Sequence, residues 1–503
     1  MKPANAQSMD LGALFRERVR MQPAAPALAG VGDAVLTYAQ LADRVARLAG
    51  GLRALGLRRG DRVAMWSENR MEYIELELAA AHLGLIVACL NWRLSDDEQR
   101  HCIRLVEPEL VVVSPRYAES LRRVGAATAQ VLELGATFDA WRDACAPLPP
   151  DESVDPEDGL VILYTSGTTG LPKGALVSQR AMAARALVFA ADYGIRGDDS
   201  FIAWSPLFHM AATDHSLATL LLGGKVLVCD GLDLPLVCDW LAREPVGWLL
   251  AMPGMIEAFI DALRAAGTRP RSVRLVGAMA DLVPHQQITE LCELVGAPYF
   301  NSFGSTETGL PPVSGGTLDP ARGPLSLAKR QSSWCLIRLV DEAGNEVPEG
   351  TPGEMTVRGP TLFSGYWGNE RANAESFQGG WFHMGDVFVR HPDGSLDFVD
   401  RLKYLIKSGG ENIYPAEIER VLLAHPGVRD AAVVRRRDAR WGEVPVAFVA
   451  ADESAFDAAA LAAFCRERLA AYKVPREFRR IEVADLPRSS TGKIQRHELE
   501  KRV

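Results

Sequence analysis

The spacing of apolar positions along the first third of the chain switches repeatedly between two patterns. Leu41, Val45, Leu48, Leu52 and Leu55 recur at intervals of three and four residues, which places them on one face of a helix. Thr37-Tyr-Ala-Gln40 forms a capping-box pattern ahead of this run, and Gly56 ends it. The short apolar runs VAMW (after Asp61 and Arg62), IVACL and LVVV at 110–113 are strand-like. Between them lie a helical stretch from Glu72 to Leu83 and a helix opened by Ser95. Uninterrupted apolar strands alternating with helices predict parallel sheets covered on both faces. The alternation persists to about residue 320.

The texture then changes. From Trp334 to Val399 short strands are separated by turn signals such as DEAGNEVPEG and HPDGSLDF, the pattern of an antiparallel, β-rich subdomain. After Asp400 a small α/β unit begins. Ala416 to Leu423 reads as a helix, AAVVRR as a strand and Ala458 to Ala470 as an alanine-rich helix. The expected fold is α/β. Residues 1–400 form a large domain of stacked α/β sheets with a β-rich subdomain at about 330–400. Residues 401–503 form a small α+β domain.

Composition narrows the class without naming it. Hydrophobic residues make up 48% and charged residues 24% of 503, ordinary for a soluble globular enzyme. A formal net charge of −9 gives no whole-chain footprint for nucleic acid. The eight cysteines are scattered with no CxxC or Cys/His metal spacing, as expected of reduced, mostly buried thiols. No signal-peptide pattern or 18-residue apolar run occurs, so the expected compartment is the cytoplasm and no membrane span is expected.

LVILYTSGTTGLPKG (Leu160 to Gly174) is the strongest local signal. An apolar strand runs into four hydroxyls within five positions, then glycines and a lysine, and Ser178 caps a following helix. Glycines let backbone N–H groups approach an anion, hydroxyls donate to it and the lysine adds charge. This is a phosphate cradle, distinct from the GxxxxGK[ST] pattern. NSFGSTETG (Asn301 to Gly309) is a polar loop with a carboxylate suited to a hard cation. Near the end, PRSSTGKIQR sets Lys493 on a small-residue loop without helical or strand period.

These motifs, in this order over nearly the whole chain, resemble the adenylate-forming enzymes, which include acyl-CoA synthetases, luciferases and peptide-synthetase adenylation domains. The resemblance implies ATP, Mg²⁺ and CoA as the bound partners. Thr165, Ser166, Gly167, Thr168, Thr169, Gly170 and Lys173 would hold phosphates, with Glu307 and Thr168 at the metal. Thr306 would meet the α-phosphate, and Lys493 would be carried into the active site for the first half-reaction only. Gly277, Ala278, Ser302 and Phe303 would flank adenine; the family usually has tyrosine where Phe303 stands. GGWFHMGD supplies Asp386 for the ribose, with Met384 where threonine is common, and Arg401 would join it. In VDRLKYLIKSGGENIYPAEIE, Lys403 falls at the hinge of the mobile C-terminal domain. Ser408, Gly409 and Gly410 would line the pantetheine tunnel, and Arg93, Trp441, Lys473 and Arg476 would contact the CoA nucleotide.

The acyl pocket would draw on Val188, His209 as a gate, Met210, Ala211, Gly304 and Leu310, together with Gly277, Ala278 and Ser302. None is an arginine or lysine. The implied substrate is therefore an uncharged-tail monocarboxylic acid, aliphatic (fatty) of medium length or aryl. Asp214 is atypical there; a carboxylate would suit a hydroxyl or amine on the acid, although no role is assigned to it. GPLSLAKRQSSW (Gly323 to Trp334) keeps little of the family's glycine-rich segment, which leaves open a specialised subfamily, altered nucleotide-side packing or weakened activity. The implied reaction is ATP-dependent acid–CoA ligation by a monomer or homodimer. The alternatives are loading of a carrier protein and a non-catalytic nucleotide- or acyl-binding role.

Overall fold

The computed structural model describes residues 10–32, 34–125, 129–165, 171–323, 325–451, 456–488 and 494–503, apart from the side chain of Leu282. The expected elements form. Thr37 accepts from the Gln40 N–H while the Gln40 side chain accepts from Thr37, opening the helix Tyr38–Ala54. Ser95 and Glu98 do the same for Asp96–Val106. The alanine-rich helix stops at Arg466, four residues short of the expected Ala470. There the Arg468 N–H turns back to the Cys465 carbonyl, tightening the chain away from α geometry.

The chain divides into two compact units, 1–336 with 358–381, and 337–357 with 382–503. The first holds two large sheets. One has the order Gln130–Glu133, Leu110–Val113, Arg62–Trp66, Ile86–Cys89, Gly159–Thr165, Lys173–Ser178. It is parallel except for its last pair. The other runs Thr317–Leu318, Tyr299–Phe300, Ser272–Val276, Pro245–Leu249, Ser200–Ala203, Lys225–Val228, Pro26–Ala29, Val35–Thr37. Its interior pairs are parallel and only its edge strands are antiparallel.

The helix Met71–Leu83 is buried on every side from Tyr73 onward. It packs on the helices Leu11–Met21, Tyr38–Ala54 and Met210–Leu222, and such an all-round apolar helix belongs inside a core. Two acids sit within its buried part. Glu75 is answered by Arg44 at 2.7 Å and Arg142 at 3.3 Å. Glu77 accepts from the Thr213 hydroxyl at 3.3 Å, and burial raises its pKa well above the carboxylate range. Asn69, just past the first sheet's strand Arg62–Trp66, donates to the carbonyls of Ala203, Ser205 and Cys229 beyond two strands of the second. That buried amide ties the carboxyl ends of the two sheets together.

The second unit contains an antiparallel sheet of Leu336–Val340, Gly353–Arg358, Trp381–Arg390 and Leu396–Arg401. A further sheet is built on the long hairpin Asp430–Asp438 and Gly442–Ala450. Ala431 and Val433 of that hairpin face one apolar cluster, and Ala432 and Val434 face another that includes the fully buried Leu499. The last helix, Arg496–Glu500, is therefore packed rather than frayed. Of the β-rich segment, residues 337–357 and 382–400 group with the C-terminal residues and 358–381 with the first unit. Trp381–Arg390 and Leu396–Arg401 pair from Asp386 with Arg401 to Arg390 with Leu396, with a register shift after Val387. All eight cysteines are free thiols, seven of them buried. Among the described residues no helix is long and apolar enough to cross a membrane.

His215 lies inside the first unit, its ring centroid 4.4 Å from Trp248 and 4.6 Å from Phe189. Burial pushes its pKa from 6.5 down to about 3. Between those values the unfolded chain holds the extra proton. The stability associated with the neutral ring is thus complete above pH 6.5 and lost as pH falls towards 3, by about 5 kcal/mol in full. His215→Phe is expected to move the acid-unfolding midpoint to lower pH, followed by tryptophan fluorescence; an unchanged or higher midpoint would contradict this.

Candidate active site

Six elements of the first unit position the chemistry: strands β1 (Gly159–Thr165) and β2 (Lys173–Ser178), helices α1 (Gln179–Tyr193) and α2 (Met210–Leu222), and the short strands β3 (Gly304–Ser305) and β4 (Gly309–Pro312). β1 and β2 form an antiparallel hairpin whose last register pair is Thr165 and Lys173. The segment after the phosphate motif is thus a strand before it is a helix. Ser178 caps α1 by accepting from the Ala181 N–H. Ser166, Gly167, Thr168, Thr169 and Gly170 lie outside the described residues, as does Lys493.

β3 and β4 form a second, tight hairpin with Thr306, Glu307 and Thr308 at its tip. Both flanking glycines are required. A Cβ on Gly304 would lie 2.0 Å from the Gly309 carbonyl oxygen, and Gly309 has φ +75°, a conformation that disfavours side chains. The Tyr366 hydroxyl donates to Glu307 Oε1 at 2.8 Å, and the Phe363 N–H donates to the Glu307 carbonyl. Lys173 Nζ sits 4.8 Å from the centroid of the same Tyr366 ring, within cation–π reach. One tyrosine therefore brings the two motifs together. It is held because Ser364 and Trp367 donate backbone hydrogen bonds to Leu176 and Gly174 of β2.

The residues expected near adenine lie past the carboxyl ends of two adjacent parallel strands, Ser272–Val276 and Tyr299–Phe300. A Cβ on Gly277 would strike the Tyr299 ring at 2.2 Å, and Gly277 has φ +89°. The Tyr299 hydroxyl donates to the Ala278 carbonyl at 2.8 Å, and Trp248 Nε1 donates to the Gly277 carbonyl at 2.8 Å. The Met279 N–H donates to the Ser302 hydroxyl, and the Phe303 N–H to the Ser314 hydroxyl. The atypical 323–334 segment takes part in this fixation. Lys329 is completely buried and donates to Asp281 and Asn301 at 2.5 and 2.6 Å, while Asn301 Nδ2 donates to the Leu327 carbonyl. A lysine strap thus pins both loops.

Asp386 and Arg401, in the second unit, are register partners on antiparallel strands and form an ion pair at 2.8 Å. Lys403 Nζ and the Arg496 guanidinium each lie over the Tyr404 ring, at 4.5 and 4.4 Å. Arg496 also pairs with Glu419 at 2.6 Å. Neighbouring Asp400 accepts from the Ala416 N–H, yet burial pushes its pKa up to about 6. The expected pantetheine glycines meet the expected tryptophan. The Gly409 N–H donates to the Trp441 carbonyl, and a Cβ on Gly409, whose φ is +60°, would lie 2.7 Å from the indole. Ser408 and Gly410 flank it, with Ser408 paired to Gly442. Lys473 places its ammonium on both Glu417 oxygens at 2.7–2.8 Å. Arg476 donates its backbone N–H to Pro445. Arg93, in the first unit, lies over Trp92 at 4.9 Å.

Of the expected acyl residues, Val188 on α1 and Met210 and Ala211 on α2 are buried, and Leu310 is half-buried on β4. His209 caps α2, its Nδ1 accepting from the Ala211 N–H. Asp214 does not await a substrate hydroxyl or amine through Oδ2; that oxygen pairs with Arg185 of α1 at 2.9 Å. Tyr366, Arg185 and Lys329 are residues that the sequence reading did not single out and that the structure places on the candidate residues and their loops. Tyr366 lies in a loop with no chemical motif, and the two cations carry no local sign of their distant partners.

A lysine and a carboxylate brought onto one tyrosine, beside loops at the carboxyl ends of parallel strands, form a geometry suited to a phosphorylated ligand in an α/β protein. The profile for "AMP-binding enzyme" matches residues 15–367, and that for "AMP-binding enzyme C-terminal domain" matches residues 417–493. The feruloyl-CoA synthase of an Amycolatopsis species is 36% identical over 99% of both chains. The 2-succinylbenzoate–CoA ligase of Bacillus licheniformis is 35% identical over 93% of this chain and 95% of its own. The o-succinylbenzoate CoA synthetase of Bacillus subtilis, solved with ATP and a magnesium ion, superposes with a TM-score of 0.83 at 29% identity, over 97% of this chain and 98% of that one. The chain belongs to the AMP-binding enzymes and is an adenylate-forming acid–CoA ligase.

Tyr366→Phe removes the hydroxyl donor to Glu307 and keeps the ring beneath Lys173. A hydrogen bond to a charged group contributes about 1.5–3 kcal/mol. ATP–pyrophosphate exchange is therefore expected to fall by roughly tenfold or more, with the melting temperature little changed. Full exchange activity in the variant would separate Tyr366 from the chemistry.

Proposed function

We propose that the chain activates an aromatic monocarboxylic acid, with the residue roles set out below. The carrying observation is the meeting of Lys173 and Glu307 on Tyr366, which supports one phosphate-handling centre built from two distant motifs. In the first half-reaction a carboxylate oxygen attacks the α-phosphorus of ATP, the bond to the bridging oxygen breaks, and pyrophosphate leaves. In the second, the thiol of CoA attacks the acyl carbon and AMP leaves.

The task in the first step is alignment of two anions and neutralisation of developing charge. Lys173 and the 165–170 loop are assigned to the phosphates, Thr306 to the α-phosphate and Lys493 to the charge that develops there. Glu307 and Thr168 are assigned to Mg²⁺, which neutralises phosphate charge when bound. A single carboxylate held by a tyrosine fits that ion, because Mg²⁺ takes one or two carboxylates together with substrate phosphates. Gly277, Ala278, Ser302 and Phe303 are assigned to adenine, and Asp386 with Arg401 to the ribose. Arg93, Ser408, Gly409, Gly410, Trp441, Lys473 and Arg476 are assigned to CoA. We take residues 1–400 and 401–503 as the bodies that move about Lys403, releasing Lys493 before CoA reacts.

The acid class rests on two supports. Val188, His209, Met210, Ala211, Gly304 and Leu310 include no arginine or lysine, and the cation three residues before Val188 is neutralised by Asp214. The two relatives reported above are a feruloyl-CoA synthase and a 2-succinylbenzoate–CoA ligase, both named for aromatic acids. The second acid has two carboxylates, so they support the aromatic class, and the uncharged tail rests on the pocket residues alone. A cytoplasmic monomer or homodimer fits this reading.

Two outcomes test it. Removing one preorganised electrostatic donor costs roughly 10²–10³ in rate. Lys493→Ala is expected to lose at least that much acid-dependent pyrophosphate release, yet to convert preformed acyl-adenylate to acyl-CoA at near the normal rate. Across an acid panel, kcat/KM is expected to be highest for aromatic monocarboxylates and lowest for short dicarboxylates. Preference for a malonyl-type acid would overturn the acid class.

A further inference from the structure

We infer that Arg185 and Asp214 are positioning residues that couple the acid pocket to the metal- and phosphate-binding tip of the β3–β4 hairpin. The inference rests on the roles proposed above for Thr306 and Glu307.

The geometry is specific. Arg185 is 5% exposed and Asp214 4%. The Arg185 guanidinium uses all three of its nitrogens. Nη1 holds Asp214 Oδ2 at 2.9 Å, Nε donates to the Thr361 carbonyl at 3.1 Å, and Nη2 donates to the Thr306 carbonyl at 3.0 Å. The rigid planar fork of arginine makes this three-way contact possible; a lysine point charge cannot reproduce it. The Thr306 peptide leads directly into Glu307, whose carboxylate is fixed from the other side by Tyr366. Gly309 closes the hairpin against the arginine stem, since a Cβ there would lie 2.9 Å from Arg185 Cδ and Nε.

The pair also joins the two helices that carry the acyl candidates. Arg185 lies three residues before Val188 on α1, and Asp214 three residues after Ala211 on α2. A shift of either helix to admit an acid is therefore transmitted to the Thr306 carbonyl. A purely structural role would be met as well by apolar side chains, because buried ion pairs cost desolvation that well-packed hydrophobic residues avoid. Asp214 Oδ1 has no hydrogen-bond partner among the described residues, so the carboxylate is held through Oδ2 by Arg185. What the pair provides is direction: a fixed donor aimed at one carbonyl of the reactive loop.

The test uses the full chain with Arg185→Lys and Asp214→Asn. Acid-dependent pyrophosphate release is measured while Mg²⁺ is titrated, beside Glu307→Gln, and conversion of preformed acyl-adenylate by CoA is measured separately. The expected result is a roughly tenfold to hundredfold fall in adenylation kcat with a higher Mg²⁺ requirement, and an unchanged rate with preformed adenylate. Variants that melt lower but keep the normal Mg²⁺ requirement and kcat would overturn the inference, leaving the proposed function intact. Should Glu307→Gln itself leave the Mg²⁺ requirement unchanged, the assignment of Glu307 fails, and this inference with it. If Arg185→Lys does not fold, Asp214→Asn with a normal Mg²⁺ requirement overturns the proposal, and a raised one supports it.

Discussion

The rest of the active centre depends on the polarity of the parallel strands. A parallel strand delivers its loop at the carboxyl edge, and crossovers of fixed hand return every following strand in the same sense. Arg93 follows the strand Ile86–Cys89, and Thr165 ends β1. His209 follows Ser200–Ala203, Gly277 follows Ser272–Val276, and Ser302 follows Tyr299–Phe300. Candidates more than two hundred residues apart in sequence thus emerge on the carboxyl edges of two sheets. Asn69 matters out of proportion to its size because it bonds those two edges directly. A buried amide with several carbonyl partners also fixes the relation between sheets more tightly than apolar contact alone, since its hydrogen bonds are directional.

Once the edges are fixed, the loops need independent restraint, and polar contacts supply it. Lys329 holds Asp281 and Asn301, Tyr366 holds Glu307, and Arg185 holds Thr306. Each reaches a loop backbone or a loop carboxylate from a distant part of the chain. Loops carry unsatisfied backbone groups that regular structure does not, and a buried donor is the economical way to satisfy them. Within GPLSLAKRQSSW, Lys329 supplies this restraint by an ion pair with Asp281 and a hydrogen bond to Asn301.

Local chemistry was legible in the sequence, whereas long-range pairing was not. Thr37 with Gln40 and Ser95 with Glu98 announce helix starts because partner and target lie three residues apart. By contrast, the hairpin at Gly304 and Gly309 was not legible: NSFGSTETG reads as a polar loop, and the steric demand on each glycine arises only in the fold. β2 was hidden too: KGALVS after a glycine-rich loop carries too few positions to separate strand from connector, and only its pairing with β1 and with 364–367 makes it one. The end of the helix Ala458–Arg466 was overrun because alanine propensity continues past the point where the chain turns. Arg185 sits in an alanine-rich helix as an ordinary polar residue would, and its partners are 29, 121 and 176 residues away. Spacing within a window cannot disclose such contacts.

That distinction also bears on why buried charge is kept here. Burying Arg185 and Asp214 costs desolvation, and only good geometry offsets it. Asp214 shows the strain of the balance: burial raises its pKa, while Arg185 pulls it back. Glu77, one helix away, has no arginine on it among the hydrogen bonds and ion pairs described, and burial raises its pKa well above the carboxylate range. Two acids in one core thus differ in their partners, with a guanidinium on Asp214 and a threonine hydroxyl on Glu77. Glu75, on the same helix as Glu77, also has guanidinium partners, Arg44 and Arg142; Asp214 differs in that its partner also touches the β3–β4 hairpin. At Asp214 the charge partner also gives the Thr306 carbonyl a charged, directed donor, which a neutral contact would not supply.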